Sequence, residues 1–292
     1  MMKKLLIYVI ICIMVLGLII GSNSDTLKKN LIHAAPEVSY AHFSVDDCND
    51  IFKDLTYNEY SSIFDQPDLK FLKSLHDDYG IVVSLYVFYS WDVDQNDFDL
   101  SKATDRYQEE FAENSDWLKL GFHAADANAY QEMTPNEIVD YYDATIREII
   151  RITGSADSID RFVRLDRYTA DADSILLMNQ AEHGIQGLFI ADQTTSTYRM
   201  SYALTKEESD QCYRDDWFVD RIGISYTPTD IRVESIDTDE MFYGILNDVH
   251  KENPLVIFTH EWAMKEENTK HYMKLLAEFV YEYGIPSTFC AG

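Results

Sequence analysis

The chain has 292 residues, with 24 Lys and Arg against 51 Asp and Glu, a formal net charge of -27. That length accommodates one large domain with a sizeable core, or two small ones. A surface so acidic repels phosphate backbones and anionic headgroups, which excludes nucleic acid as a partner and points to a neutral or cationic substrate.

In chain order, Lys3 and Lys4 precede an uncharged apolar run from Leu5 to Ile20, and Ser22 and Ser24 follow it. This pattern reads as a signal peptide or short membrane anchor over residues 1–24. The remainder is therefore expected to be extracytoplasmic, either secreted or held at the outer face of the membrane by that segment. Residues 25–37 read as a linker and 38–292 as one domain. Outside the leader there are three cysteines, Cys48, Cys212 and Cys290. They are too few and too scattered for a disulfide framework.

From Ser39 the chain alternates strand and helix. "SYAHFSVDD" predicts a strand ending in acid, and His42 and Asp46, four apart, should share one side of it. "LKFLKSLHDDYG" spaces Leu69, Leu72 and Leu75 as one helix face and stops at Gly80. "IVVSLYVFY" is the continuous apolar run of a strand buried on both faces. A helix over 103–116 and a strand "WLKLGFHAAD" follow. Thr134, Pro135 and Glu137 form an N-cap, a first-position proline and a capping box for a long helix ending at Gly154. "RFVRLDRYTAD" predicts a strand, "ADSILLMNQAEHG" a helix and "IQGLFIAD" a strand. Residues 194–236 break the rhythm and read as an inserted, partly β excursion. A helix, the strand "LVIFTHEW" and a last helix complete the chain. Alternation of this kind implies a parallel sheet, and a single irregular (β/α) barrel accounts for it best.

Polar residues gather at the strand carboxyl ends. Asp46 and Asp47 end the first strand; His123, Asp126 and Asn128 end the third. Arg164, Asp166, Arg167 and Tyr168 lie on the fourth, Asp192 ends the fifth, and His260 and Glu261 end "LVIFTHEW". Strand carboxyl ends of a barrel converge on one mouth, where acids, imidazoles and arginines suit a hydrolytic or metal site. The chain lacks the GxSxG, HExxH, Walker and GxGxxG motifs. A stretch "TPTDIRVE" places Asp230, Arg232 and Glu234 in alternation, with no role assigned.

Three stretches, "FSVDDC", "LKLGFHAADA" and "LVIFTHE", occur in this order on the α/β pattern. Together they resemble the polysaccharide deacetylase superfamily, the NodB-homology domain of carbohydrate esterase family 4, over residues 38–292. The resemblance implies an irregular (β/α) barrel and a metal-dependent hydrolase that removes an acyl group from an amino sugar of a polysaccharide or glycolipid. It implies that Asp47 and His123 ligate a divalent metal, zinc in that family. Asp46 would act as general base toward a water, His260 as general acid toward the leaving amine, and Arg164 or Arg167 would hold Asp46. The family's second imidazole, four residues after the first, is replaced here by Ala127, so Asp126 or Asn128 becomes the candidate third ligand, and carboxylate in place of imidazole shifts preference toward harder ions. Two other readings stand beside this one. One is a degenerate barrel that binds cell-surface glycan without turnover. The other is a metal-independent glycoside hydrolase or lyase using carboxylates such as Asp46, Asp192 and Glu261.

Overall fold

The computed structural model describes residues 37–90, 98–126, 133–192, 202–248 and 254–290. The leader, most of the linker, Ala127 and Asn128 lie outside the described residues. Two sheets form the centre. One is all parallel, in the order β3-β2-β1-β9-β8, with β1 Ala41–Asp46, β2 Val83–Ser90, β3 Leu118–Asp126, β8 Ile231–Arg232 and β9 Leu255–His260. The other runs β4-β5-β7-β6, with β4 Phe162–Val163, β5 Gly187–Asp192, β6 Trp217–Val219 and β7 Ile224–Thr229; only the edge strand β6 is antiparallel.

The sheets abut at both margins. At one, Leu120 bridges Ile159 and its carbonyl accepts from Asp160 N at 2.7 Å. At the other, the chain leaves β7 and enters β8 across a single residue, Asp230. Asp230 N donates to Val256 O at 3.0 Å, and Val256 N donates to Asp230 Oδ2 at 2.6 Å. The result is an α/β barrel in outline whose ladder is not continuous among the described residues. The expected excursion is partly β, and it also supplies β7 and β8, which belong to the two main sheets.

The helices among the described residues are α1 Asp50–Tyr57, α2 Pro67–Tyr79, α3 Gln108–Glu113, α4 Pro135–Thr153, α5 Ala172–Gln180, α6 Lys206–Cys212, α7 Asp239–Asp248 and α8 Glu267–Glu282. The capping reading of α4 is borne out: Thr134 N donates to Glu137 Oε2 at 2.8 Å, Pro135 takes the first position, and Gly154 closes the helix at φ 71°. None of the described helices is long and apolar enough to cross a membrane. Cys48, Cys212 and Cys290 are free and buried.

The strands of the first sheet are buried along almost their whole length, as continuous apolar runs dictate. The inner side of β1 is an exception, because it carries His42, Ser44 and Asp46, all buried. His42 stacks on Phe189 at 5.0 Å and faces Thr288 O at 3.3 Å through Nδ1. Burial drives its pKa down to about 3, so it packs as a neutral ring, the core role its place on the strand suggested. Gly121 of β3 faces Tyr86, and a Cβ there would sit 2.8 Å from the Tyr86 ring. The glycine makes room for Tyr86, whose hydroxyl donates to Phe162 O at 2.8 Å and so ties the two sheets together.

Candidate active site

The site begins where β1 ends. Asp46 is the last residue of the strand and lies opposite His260 in the parallel β1–β9 register. Asp47 then turns the chain with φ at 63°, a left-handed conformation that a short polar side chain tolerates better than most. That turn separates the two carboxylates. Asp46, with Ser44, faces inward; Asp47 is thrown toward β3.

The inward direction is occupied by Arg164, which follows β4 and is 1 % exposed. Its Nη1 donates to Asp46 Oδ1 at 3.0 Å and to Ser44 Oγ at 2.9 Å, and Nη2 donates to Thr229 Oγ1 at 3.2 Å. The guanidinium lies 4.1 Å from the Phe258 ring centroid and 5.1 Å from that of Phe189. Aromatic faces on a buried cation recover part of its lost hydration. Of the two arginines proposed from sequence to hold Asp46, the structure selects Arg164. Arg167 is half-exposed and pairs with Asp166 at 3.7 Å instead.

The same Arg164 positions the imidazole. Its carbonyl lies 2.6 Å from His123 Nδ1. A carbonyl only accepts, so Nδ1 carries the proton and Nε2 is the free position. His123 also sits at the register shift where Val87 pairs with Phe122 but Phe88 pairs with Ala124, a bulge that re-aims the side chain at the strand end. Nε2 comes to 3.3 Å from Asp47 Oδ1. Two lone pairs cannot face each other at that distance without a proton or a cation between them. Burial lowers the His123 pKa, but the Asp47 hydrogen bond and the charges of Asp46, Asp47 and Asp166 outweigh it and lift it to about 9. In turn, burial raises Asp47, and the His123 bond and charge, the His260 charge and the Trp262 N–H together bring it below its usual value.

The spacing of this pair suits two ligands of one divalent ion. Two donors bonded at about 2.0–2.1 Å to a tetrahedral ion stand about 3.4 Å apart, close to the observed separation, and an Nδ1–H anchored on a carbonyl is the usual support of an imidazole ligand. Among the described residues, no third acid, imidazole or thiol joins them in a group able to hold a metal. Asp126, the substitute ligand expected from sequence, instead accepts from Ser90 Oγ at 2.9 Å.

His260 ends β9 on the other side of Asp46. Its Nδ1 donates to Glu234 Oε1 at 2.5 Å; Glu234 also accepts from Arg232 Nε at 2.7 Å and from Thr259 Oγ1 at 2.8 Å. Burial raises the Glu234 pKa, but the His260 bond and the His260 and Arg232 charges prevail and hold it at about 2. The pair is a carboxylate–imidazole couple that fixes the ring and presents Nε2. Here the unassigned "TPTDIRVE" finds its place. Its alternation does not form one strand face: Asp230 makes the crossing between sheets, and Glu234 lies in the 3-10 turn Val233–Ser235, from which it reaches His260.

Two further residues brace the turn that carries Asp47. Asn49 donates Nδ2 to Phe88 O at 3.0 Å and accepts from Phe88 N at 2.9 Å, so that its amide imitates one more strand residue beside β2. Glu261, the sequence neighbour of His260, accepts Asp50 N at 2.9 Å and Ile51 N at 2.6 Å and caps α1. Asp46 and Asp47 do not cap that helix. Burial pushes Glu261 up to about 8 in spite of those two N–H donors. Asp192 ends β5.

Fold and site thus define an α/β protein with a carboxylate–imidazole pair and a second, carboxylate-oriented imidazole at its strand ends. No protein-family model and no curated protein matches the chain. Among solved structures it is similar to a CE4 family pseudoenzyme from Bacillus anthracis, with 10% identity over 87% of this chain and 64% of that one and a TM-score of 0.42. It is also similar to a mutant of the peptidoglycan deacetylase PdaC from Bacillus subtilis, with 11% identity, 87% and 89% coverage and a TM-score of 0.41. A third is the 4-alpha-glucanotransferase from Thermococcus litoralis, with 11% identity, 82% and 38% coverage and a TM-score of 0.48. The chain spans under two thirds of the pseudoenzyme and of the glucanotransferase.

Proposed function

We propose that the protein is an exported amide hydrolase that removes an acyl group from an amino sugar of a polysaccharide or glycolipid, with a divalent metal at Asp47 and His123. The observation that carries this reading is His123 Nε2 facing Asp47 Oδ1 at 3.3 Å, beside the Arg164-bound Asp46. When bound, the metal would supply polarisation of the amide carbonyl and activation of a water. The chain's own residues do the rest. Asp46, anchored by Arg164, accepts a proton from the attacking water. His260, oriented by Glu234, gives a proton to the departing amine. Positioned acid–base groups of this kind are worth about 10²–10⁴-fold each.

The test is acetate release from N-acetylated chitin oligomers by purified protein, together with its metal content. We expect a divalent ion near one equivalent, and loss of both metal and turnover in Asp47→Ala. No metal uptake and no acetate release with a folded protein would overturn the reading. Ala127 favours a second reading, a glycan-binding barrel without turnover, because that position offers no donor where the resemblance expects an imidazole. It predicts oligosaccharide binding unchanged in Asp46→Asn, with no acetate released by the parent protein.

A further inference from the structure

Trp262 lies in the turn Glu261–Lys265 that leaves β9, two residues after His260. Its ring stacks on the His260 imidazole with centroids 5.2 Å apart and planes inclined by 27°. The indole lies close enough to the Asp47 carboxylate to help hold its pKa below the usual value. Even so, 51 % of the residue is exposed. A tryptophan that serves only packing is covered, and one at a random surface position has no fixed partner for its single donor. Here the ring is held by stacking on the proposed acid and lies beside the proposed ligand, while a large apolar area stays open next to both. The negative face of an indole attracts polarised C–H groups, and one side of a pyranose ring presents a set of them.

We infer that Trp262 is the sugar platform of the mouth. A pyranose ring of the glycan stacks on its open face, next to His260. The inference rests on the glycan-hydrolase reading above and deepens it, because a stacking platform selects a pyranose ring over an N-acetylated peptide of the same amide chemistry.

The experiment uses the full chain carrying Asp46→Asn, so that binding is measured without turnover. Tetra-N-acetylchitotetraose is titrated calorimetrically into this protein and into the same protein with Trp262→Phe or Trp262→Ala. Aromatic stacking predicts a loss of about 10-fold in affinity for Ala, with most of it restored by Phe. In otherwise unaltered protein, Trp262→Ala should raise KM, whereas Trp262→Phe should keep KM near that of the parent, since it keeps the face. Equal affinity in all three proteins, Phe as weak as Ala, or no tetrasaccharide binding by any of them would overturn the platform. The two readings fail separately. Acetate release with affinity indifferent to Trp262 removes the platform alone. Trp262-dependent binding without acetate release removes the hydrolase and leaves the platform.

Discussion

Replacing Arg164 with Met tests the organisation of the whole site. The substitution keeps most of the apolar volume among Phe189 and Phe258 but removes every donor to Asp46, Ser44 and Thr229. The Arg164 and Asp46 side chains are 1% and 2% exposed, so no water takes over the lost bonds. Breaking a buried ion pair from one side costs about 3–5 kcal/mol, because a desolvated carboxylate remains. Part of that is returned, since Arg164 Nε has no hydrogen-bond partner in the native protein and Met has none to satisfy. We expect a net loss near 4 kcal/mol, which with a urea slope of about 2–3 kcal/mol/M lowers the midpoint by about 1.5 M. Urea unfolding at pH 7, followed by tryptophan fluorescence, measures it. Arg164→Met with Asp46→Asn should recover more than half of the loss at pH 7. Arg167→Ala, at a half-exposed position, should stay within about 0.5 kcal/mol of the parent. A loss below about 1 kcal/mol in Arg164→Met, or a double variant no better than the single one, would refute the idea that Arg164 compensates Asp46.

Glu234→Gln should leave the fold intact and lower kcat by about 10²-fold, since an amide oxygen still accepts from His260 Nδ1 but no longer stabilises the charged ring; unchanged kcat would remove Glu234 from the mechanism. Because the Glu234 pKa is depressed to about 2, the stability it contributes is fully present above about pH 4.5 and is lost as pH falls through 2, a dependence that the Gln variant should lack in acid unfolding curves. Glu261 has the opposite sign: its pKa is raised to about 8, so the folded state holds the extra proton, and stability should fall as pH rises from about 4.5 through 8. Glu261→Gln should flatten that slope and, by leaving Asp50 N or Ile51 N without an acceptor, cost about 1–3 kcal/mol at its most stable pH. Asn49→Ala removes both bonds to Phe88 and should cost a similar amount, about 1–3 kcal/mol, with faster hydrogen exchange at Phe88 N as its local signature.

The alternation of apolar strands with capped helices was legible because each element declares itself locally: Thr134 with Glu137, Gly80 and Gly154 at left-handed helix ends, and Val83 to Phe88 as an uninterrupted buried run. The course of residues 206–236 was not legible, because β8 is two residues long and its membership of the β9 sheet is decided by Asp230 meeting Val256, 26 positions away. The same limit separates the two arginines. Arg164 and Arg167 look alike in "RLDRY", and only the third dimension shows one buried on Asp46 and the other turned outward at φ 54°. Glu261 is the neighbour of His260 in sequence, but on leaving a strand adjacent side chains point in different directions, and this one points to α1. Asn49 was not legible, because its partner is the backbone of Phe88, which no sequence pattern displays.

The adjacent acids of "FSVDDC" raise an electrostatic difficulty that the backbone resolves before any ion is added. Had β1 continued for one more residue, alternation would have sent Asp47 to the opposite side of the sheet from Asp46, away from His123 and into the apolar layer beneath the helices. Had the chain entered α1 directly, both carboxylates would have competed for the helix N-terminus that Glu261 now occupies. The left-handed turn at Asp47 avoids both outcomes. Asp46 keeps the strand direction and meets a guanidinium, while Asp47 leaves it and meets an imidazole. Each acid therefore has its own cationic or donor partner, and Arg164 serves both sides, one through its side chain and the other through its carbonyl on His123. This common anchor explains why a single buried arginine, touching neither Asp47 nor any solvent, controls the geometry of the whole pair.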